Sequence, residues 1–283
     1  NWLSPFPQFQ TTERPDKCAA EILNGRVLLL CDHSPMGILL PAVFNDFLQV
    51  SEDSYNRFEI VSLQRIIRYC AVLITLLFSG TYLAVTNFHT QVLPTNLILS
   101  FSEARQGVPF PGILEILFME IAFETIREAG IRMPGPLGGT IGIVGGLIVG
   151  QAAVEANLVS PIVVVVVAVT ALCSLAIPSE SFSAPFRLLK FGFILLGGTL
   201  GVFGILLGLY LTASHLAGLK SFGIPYLSPF AAKTHAGYCG ERDSIIRIPF
   251  RFLTRRPIYA RENQKVKLRT KESQKKKQKG GSF

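Results

Sequence analysis

The chain has 283 residues, 49% of them hydrophobic and only 16% charged, with a mean hydropathy of +0.41. Apolar content this high and this clustered excludes an ordinary soluble domain and points to lipid as the main solvent. The net charge of +8 is no nucleic-acid signature: residues 242–283 hold 14 Lys and Arg against 3 Asp and Glu, leaving −3 on the other 241 residues. A basic surplus at one end beside apolar runs fits a tail near anionic lipid, so membrane lipid is an expected partner and nucleic acid is not.

The chain opens at Asn1 without Met and without a secretory signal pattern, so a preceding N-terminal segment is expected. Residues 1–64 are mixed in character. Two short apolar runs, Arg26 to Cys31 and Gly37 to Val43, flank an Asp32-His33-Ser34-Pro35 turn and predict a β-hairpin-like element in a water-exposed region. Arg57, Arg65 and Arg68 precede the first long apolar run and place this region on the cytoplasmic side.

That run, 66–88, has about the 20 apolar residues that cross a bilayer core of about 30 Å. A polar loop is expected over 89–109. Residues 110–133 are apolar but carry Glu115, Glu120, Glu124, Glu128, Arg127 and Arg132, too many charges for a lipid-facing span, and read as an interfacial or re-entrant helix. Pro134-Gly-Pro136 ends it. Further spans are expected over 137–153, 158–177 and 186–216, giving four crossings with both ends cytoplasmic, or up to six if other segments cross. The fold class is therefore an α-helical multi-pass membrane protein preceded by the end of a mixed α/β cytosolic domain: 1–64 cytosolic, 65–220 membrane domain, 221–283 basic cytoplasmic tail. Within that tail, Lys265 to Lys279 is too polar to fold alone.

Three patterns stand out inside the apolar region. Gly138, Gly142, Gly146 and Gly150 recur every four residues, a smooth helix face that lets a second backbone approach, either within one subunit or between subunits. Gly197/Gly201 and Gly204/Gly208 repeat the spacing later. Glu120, Glu124 and Glu128 form an acidic row; carboxylates at membrane depth cost roughly 2.5–3.5 kcal/mol each and so face a cavity, a pore mouth or a cation, unless they pair locally as Glu124–Arg127 and Glu128–Arg132. Ser160, Val163, Val167, Thr170, Ser174 and Ile177 fall in one helical sector. Hydroxyls there could wet a lumen, with Val163 and Val167 gating it by dewetting, or could simply pack between helices. The candidate cation pathway is thus Glu120, Glu124, Glu128, Ser160, Thr170 and Ser174, and the candidate gate Val163 and Val167.

No P-loop, G-x-G-x-x-G, G-x-S-x-G or H-E-x-x-H pattern occurs, so no enzyme is expected. Five scattered cysteines and four scattered histidines suggest neither a disulfide framework nor a metal site, and no cofactor is expected.

Several stretches together resemble one family: Pro5-Phe-Pro-Gln8 with Thr12-Glu-Arg-Pro-Asp16, Asn24-Gly-Arg26, Glu103-Ala-Arg-Gln-Gly-Val-Pro-Phe-Pro111, Met119-Glu-Ile-Ala-Phe-Glu124, Arg127-Glu-Ala-Gly130, Gly150-Gln-Ala-Ala-Val-Glu155, Ser160-Pro161, Ile177-Pro-Ser179, Ser221-Phe-Gly-Ile-Pro-Tyr-Leu-Ser-Pro229, Asp243-Ser-Ile-Ile-Arg247-Ile-Pro249 and Arg256-Pro257. They resemble the A subunits of GerA-type spore germination receptors of endospore-forming bacteria. The resemblance implies a membrane subunit in the spore inner membrane, working with a transporter-like B subunit that senses the nutrient and a lipoprotein C subunit. It further implies assembly as a homo-oligomeric ring, with a pentamer as the expected size, that conducts cations when triggered. The SpoVAF-like branch, linked to ion and dipicolinic acid release, shares much of the pattern, and a non-conducting scaffold for the receptor is the rival of another class.

Overall fold

A computed structural model describes residues 4–133, 137–230 and 244–249. The expectations for Pro134-Gly-Pro136, His235, Cys239 and the basic stretch from 250 onward fall outside these residues. The fold is mostly helical with a small sheet, and the chain divides into two compact units: Asn1–Tyr69 with Ser214–Phe283, and Cys70–Ala213.

In the first unit, β1 (Gln10–Thr12), β2 (Val27–Leu30) and β3 (Gly37–Leu40) form an antiparallel sheet in the order β1-β3-β2, with α1 (Pro15–Leu23) between the first two strands. The expected hairpin is β2 and β3, with Val27 opposite Leu40 and Leu30 opposite Gly37. The third strand was not expected, because Gln10-Thr-Thr is too short and polar to show a period of two. Leu39, Ala42, Phe47, Leu48, Val61, Leu219 and Tyr226 are buried in this unit, and the Tyr226 ring meets those of Phe6, Phe44 and Phe47, each at a centroid distance of 6.4 Å. Tyr226 is held by β4 (Lys220–Ser221) and β5 (Ile224–Pro225), a two-residue antiparallel ribbon.

Two of the arginines that flank the first apolar run, Arg65 and Arg68, are not free surface charges. Asp53 is buried and accepts from Arg65 Nε at 3.2 Å and Arg68 Nη1 at 3.0 Å; Arg65 itself is 1% exposed. Two guanidiniums on one carboxylate satisfy a charge that would otherwise be costly to bury.

The second unit is a helical bundle. It contains α2 (Phe58–Phe88) from residue 70 on, α3 (Thr95–Ala104), α4 (Gly112–Arg132), α5 (Leu137–Glu155), α6 (Pro161–Leu175) and α7 (Glu180–Gly218) up to residue 213. The expected loop at 89–109 therefore holds a helix, its Asn-Leu-Ile-Leu-Ser-Phe run being apolar enough to continue past Pro94. Pro161 starts α6 at a position where its missing N–H is no loss. Leu83, Ile116, Met119, Ala153, Val159, Val163, Val167 and Ile194 form the core, with α4 packed against α5 and α6.

Among the described residues, two helices are long and apolar enough to cross a membrane by length and composition: Phe58–Phe88 and Glu180–Gly218. At 15 residues α6 is about 22 Å long, short of the bilayer core. The outer face of the unit is apolar, with Val165, Leu172, Leu195, Phe203 and Leu206 exposed, as lipid contact requires.

The last element departs from the expected single span over 186–216. Gly201 has φ +63° and ψ −144°, outside the helical region. A Cβ on Gly204 would lie 2.2 Å from the Leu196 carbonyl oxygen, and one on Gly208 would lie 3.0 Å from the Phe193 ring. In a straight helix those pairs would be about 12 Å and 22 Å apart along the axis. The chain thus turns back on itself at Gly201, and α7 is two antiparallel arms. Only a residue without a Cβ adopts this conformation cheaply, so the reversal sits on a glycine.

Candidate functional site

The acidic row of α4 is where the chemistry concentrates, and each carboxylate has a different environment. Glu120 is 0% exposed. Its Oε2 receives the Lys190 ammonium at 2.5 Å, and its Oε1 accepts from Ser79 Oγ at 2.8 Å and Thr170 Oγ1 at 3.2 Å. Four helices, α2, α4, α6 and α7, thereby converge on one side chain. A carboxylate with three donors, one of them charged, is stable out of water; removing either charge would strand the other at a cost of about 3–5 kcal/mol.

Glu124 is half-exposed and pairs with Arg187 at 3.3 Å, while Glu128 is exposed and pairs with Arg132 at 2.6 Å one turn on. The local pairing expected of Glu128 is present; that of Glu124 with Arg127 is replaced by Arg187. Arg127 instead donates to Ser174 Oγ at 2.5 Å. Glu115, one turn before the row, accepts the backbone N–H of Ser160 at 2.9 Å. That contact seats a negative charge at the N-cap of α6, beside the end where the helix leaves N–H groups unpaired and its dipole is positive.

The hydroxyl and valine sector of α6 faces inward in this chain. Ser160, Val163, Val167 and Thr170 are all 0% exposed, and Ser174 is 1% exposed. Thr170 is the member that reaches Glu120. Val163 and Val167 pack in the core with Ile116 and Met119 of α4.

Beside this cluster lies a cleft of about 930 Å³ whose wall includes Glu124, Arg127, Gly142, Gly146, Gly150, Ser174, Ser183 and Lys190. The glycine stripe forms one side. A Cβ on Gly146 would stand 3.1 Å from the Phe123 ring and one on Gly150 3.1 Å from Val164, whereas Gly142 meets nothing within 4 Å. Gly138 lies on α5 outside the positions whose side-chain surroundings are described. Ser183 is 1% exposed, and its hydroxyl has no hydrogen-bond partner among the described residues. Among the described residues no group of three His, Cys, Asp or Glu side chains could hold a metal ion.

The sequence picked out Glu120 and Thr170 but not Ser79 or Lys190 as their partners. In the sequence Arg187 and Lys190 stand only as positive charges at the start of the last apolar run. The periodicity of the α7 arm carries the one signal, since Ser183 and Lys190 lie seven residues, about two turns, apart on one face.

A family profile described as Bacillus/Clostridium GerA spore germination protein matches residues 1–259. The chain is 44% identical over 259 residues to spore germination protein GerLA of Bacillus cereus, covering 92% of this chain and 52% of that relative. It is 45% identical over 254 residues to spore germination protein A1 of Bacillus subtilis (strain 168), covering 89% and 52%, respectively. To the uncharacterized membrane protein YfkQ of the same strain it is 42% identical over 264 residues, covering 92% and 50%. The chain thus spans about half the length of these curated relatives, and no solved structure matches it. A profile match over nearly the whole chain, with these identities, shows that the chain belongs to the GerA spore germination protein family.

Proposed function

We propose that this chain is the membrane portion of a germination receptor A subunit, which passes cations when a nutrient is sensed by its receptor complex. It would work in the spore inner membrane beside a transporter-like B subunit and a lipoprotein C subunit, as a homo-oligomeric ring of five. The observation that carries the reading is Glu120, a carboxylate buried where four helices of an apolar bundle meet and paired there with Lys190. Ionisable groups held at such depth are expensive and mark ion pathways more often than they serve packing. The proposed pathway comprises Glu120, Glu124, Glu128, Ser160, Thr170 and Ser174.

The reversal at Gly201 revises the proposed topology. With α7 as a re-entrant hairpin, α2, α4, α5 and α6 are the four crossings, within the four to six expected, the apolar residues Leu158, Val159, Ala176 and Ile177 that flank α6 adding the depth its 15 helical residues lack. At 21 residues α4 is about 31 Å long, enough to cross, and the partners of Glu115 and Glu120 remove the objection to its charges. The segments before α2 and after α7 are then both cytoplasmic. The proposed layout is 1–64 cytosolic, 65–220 membrane domain and 221–283 basic tail.

In the chain by itself Val163 and Val167 are core residues. A gate built from them opens by displacing α6 from α4, which ties gating to the packing of the whole bundle. That burial also favours a second reading, a scaffold in which the same cluster only fixes the helices.

The test is potassium release from spores carrying Glu120→Gln and Glu124→Gln, with subunit levels checked by immunoblot. Release altered at normal protein level supports conduction through this chain. Unaltered release moves the pathway elsewhere and leaves the scaffold.

A further inference from the structure

One oxygen of Glu120 is held by a lysine and the other by hydroxyls, and the lysine stands in the wall of an open cleft. Those two facts together suggest more than a structural ion pair. The Lys190 ammonium has one hydrogen-bonding partner among the described residues, Glu120 Oε2 at 2.5 Å, with the Phe191 ring 5.6 Å away. On the other side of the carboxylate, Ser79 and Thr170 bring two hydroxyls to Oε1. A hydroxyl that now donates to Glu120 can rotate and offer a lone pair instead. Withdrawal of the ammonium would therefore leave a carboxylate oxygen facing a space vacated by a single positive charge, with two hydroxyl oxygens held at the other oxygen of the same carboxylate.

We propose that Lys190 is a tethered stand-in for a monovalent cation, and that Glu120, Ser79 and Thr170 form a site that takes a potassium or sodium ion when the ammonium swings into the cleft. This rests on the cation-conducting reading above and names what regulates it. The charge arithmetic favours a monovalent ion: one carboxylate balances one charge, and among the described residues no acidic cluster joins Glu120 to hold a divalent one. Access is provided by the cleft of about 930 Å³, which Lys190 itself lines. Ser183, on the same arm of α7 and facing the same cleft, supplies a buried hydroxyl without a partner, an oxygen left over for an ion on its way in. In the resting state the ammonium occupies the site and repels other cations; triggering exchanges one cation for another, with no net change of buried charge. Exchange of this kind avoids the penalty of stranding Glu120 alone.

The experiment is thermal unfolding of the full-length subunit in detergent, wild type against Lys190→Ala, in potassium chloride and in N-methylglucamine chloride at equal ionic strength. Potassium should raise the midpoint of Lys190→Ala by about 3 °C or more, in a saturable manner, through binding to the folded state alone. Wild type and the Glu120→Gln/Lys190→Ala double variant should not respond. Absence of a potassium-specific shift in Lys190→Ala overturns the proposal. If Lys190→Ala does not accumulate, Lys190→Arg is read in spores: a planar guanidinium that grips the carboxylate through two bonds is slow to leave, and nutrient-triggered potassium release should fall about tenfold. Wild-type release from Lys190→Arg spores overturns the proposal equally. Altered release in Glu120→Gln spores without these Lys190 effects defeats this inference alone. Unaltered release in Glu120→Gln and Glu124→Gln spores defeats the conduction reading on which it rests.

Discussion

Replacing Gly80 or Gly197 with alanine should break the close crossing of α2 and α7. A Cβ on Gly197 would lie 2.4 Å from the Gly80 carbonyl oxygen, and one on Gly80 would lie 2.6 Å from the Phe193 carbonyl oxygen. Ordinary van der Waals contact begins near 3.4 Å, so each added methyl is about 1 Å too close. The obstructing atoms are backbone, which has no rotamer to change, so α2 and α7 must move apart. Overpacking of this kind costs about 1–3 kcal/mol, only partly offset by the roughly 0.5–1 kcal/mol that alanine gains over glycine in a helix. The displacement also pulls Ser79, the neighbour of Gly80, away from Glu120. Thermal unfolding of the detergent-purified subunit should show midpoints lower by about 3–10 °C. Gly142→Ala is the control, since a Cβ there meets nothing within 4 Å, and it should leave the midpoint unchanged or raised. If Gly80→Ala and Gly197→Ala prove as stable as Gly142→Ala, the close crossing is not what the structure describes.

Two further predictions concern the first unit. Burial raises the Tyr226 hydroxyl well above the usual tyrosine value, so the folded state holds its proton where the unfolded chain loses it. Stability from this group is intact below about pH 10 and falls as pH rises beyond it. Tyr226→Phe should flatten that alkaline loss, and because the hydroxyl has no hydrogen-bond partner it should cost little at pH 7, as pH-dependent thermal melts would show. Asp53→Ala leaves Arg65 and Arg68 as uncompensated buried or half-buried cations and should cost about 3–5 kcal/mol, with Asp53→Glu recovering part of it, read by accumulation and unfolding midpoint. An Asp53→Ala protein of wild-type stability would show that these arginines find water instead.

Local signals in the sequence carried the faces of the helices further than their neighbours. The sector from Ser160 to Ser174 was visible as a stripe because residues three and four apart share a face, and all of it is buried. What that stripe meets was not visible, because the partner of Thr170 lies 50 residues away on α4, and that of Glu120 lies 70 residues away on α7. Arg187 and Lys190 read as flanking charges when counted along the chain, but in space they are counterions. The helix at Thr95–Ala104 was missed because Pro94, Glu103 and Arg105 dominated a short segment whose centre is apolar. The reversal in α7 was hidden for a different reason: apolar residues continue unbroken on both sides of Gly201, and the glycine that permits the turn looks the same in sequence as those that permit packing.

That reversal bears on how the chain enters a bilayer at all. The turn consists of Gly201 between Leu200 and Val202, with no hydrophilic connection at its tip. A pair of helices joined in this way satisfies its backbone groups within its own arms and has no polar loop to haul through hydrocarbon. On the proposed re-entrant topology its insertion needs no translocation of a segment to the far side, so the arms would zip together as they leave the ribosome and settle from the side on which they were made.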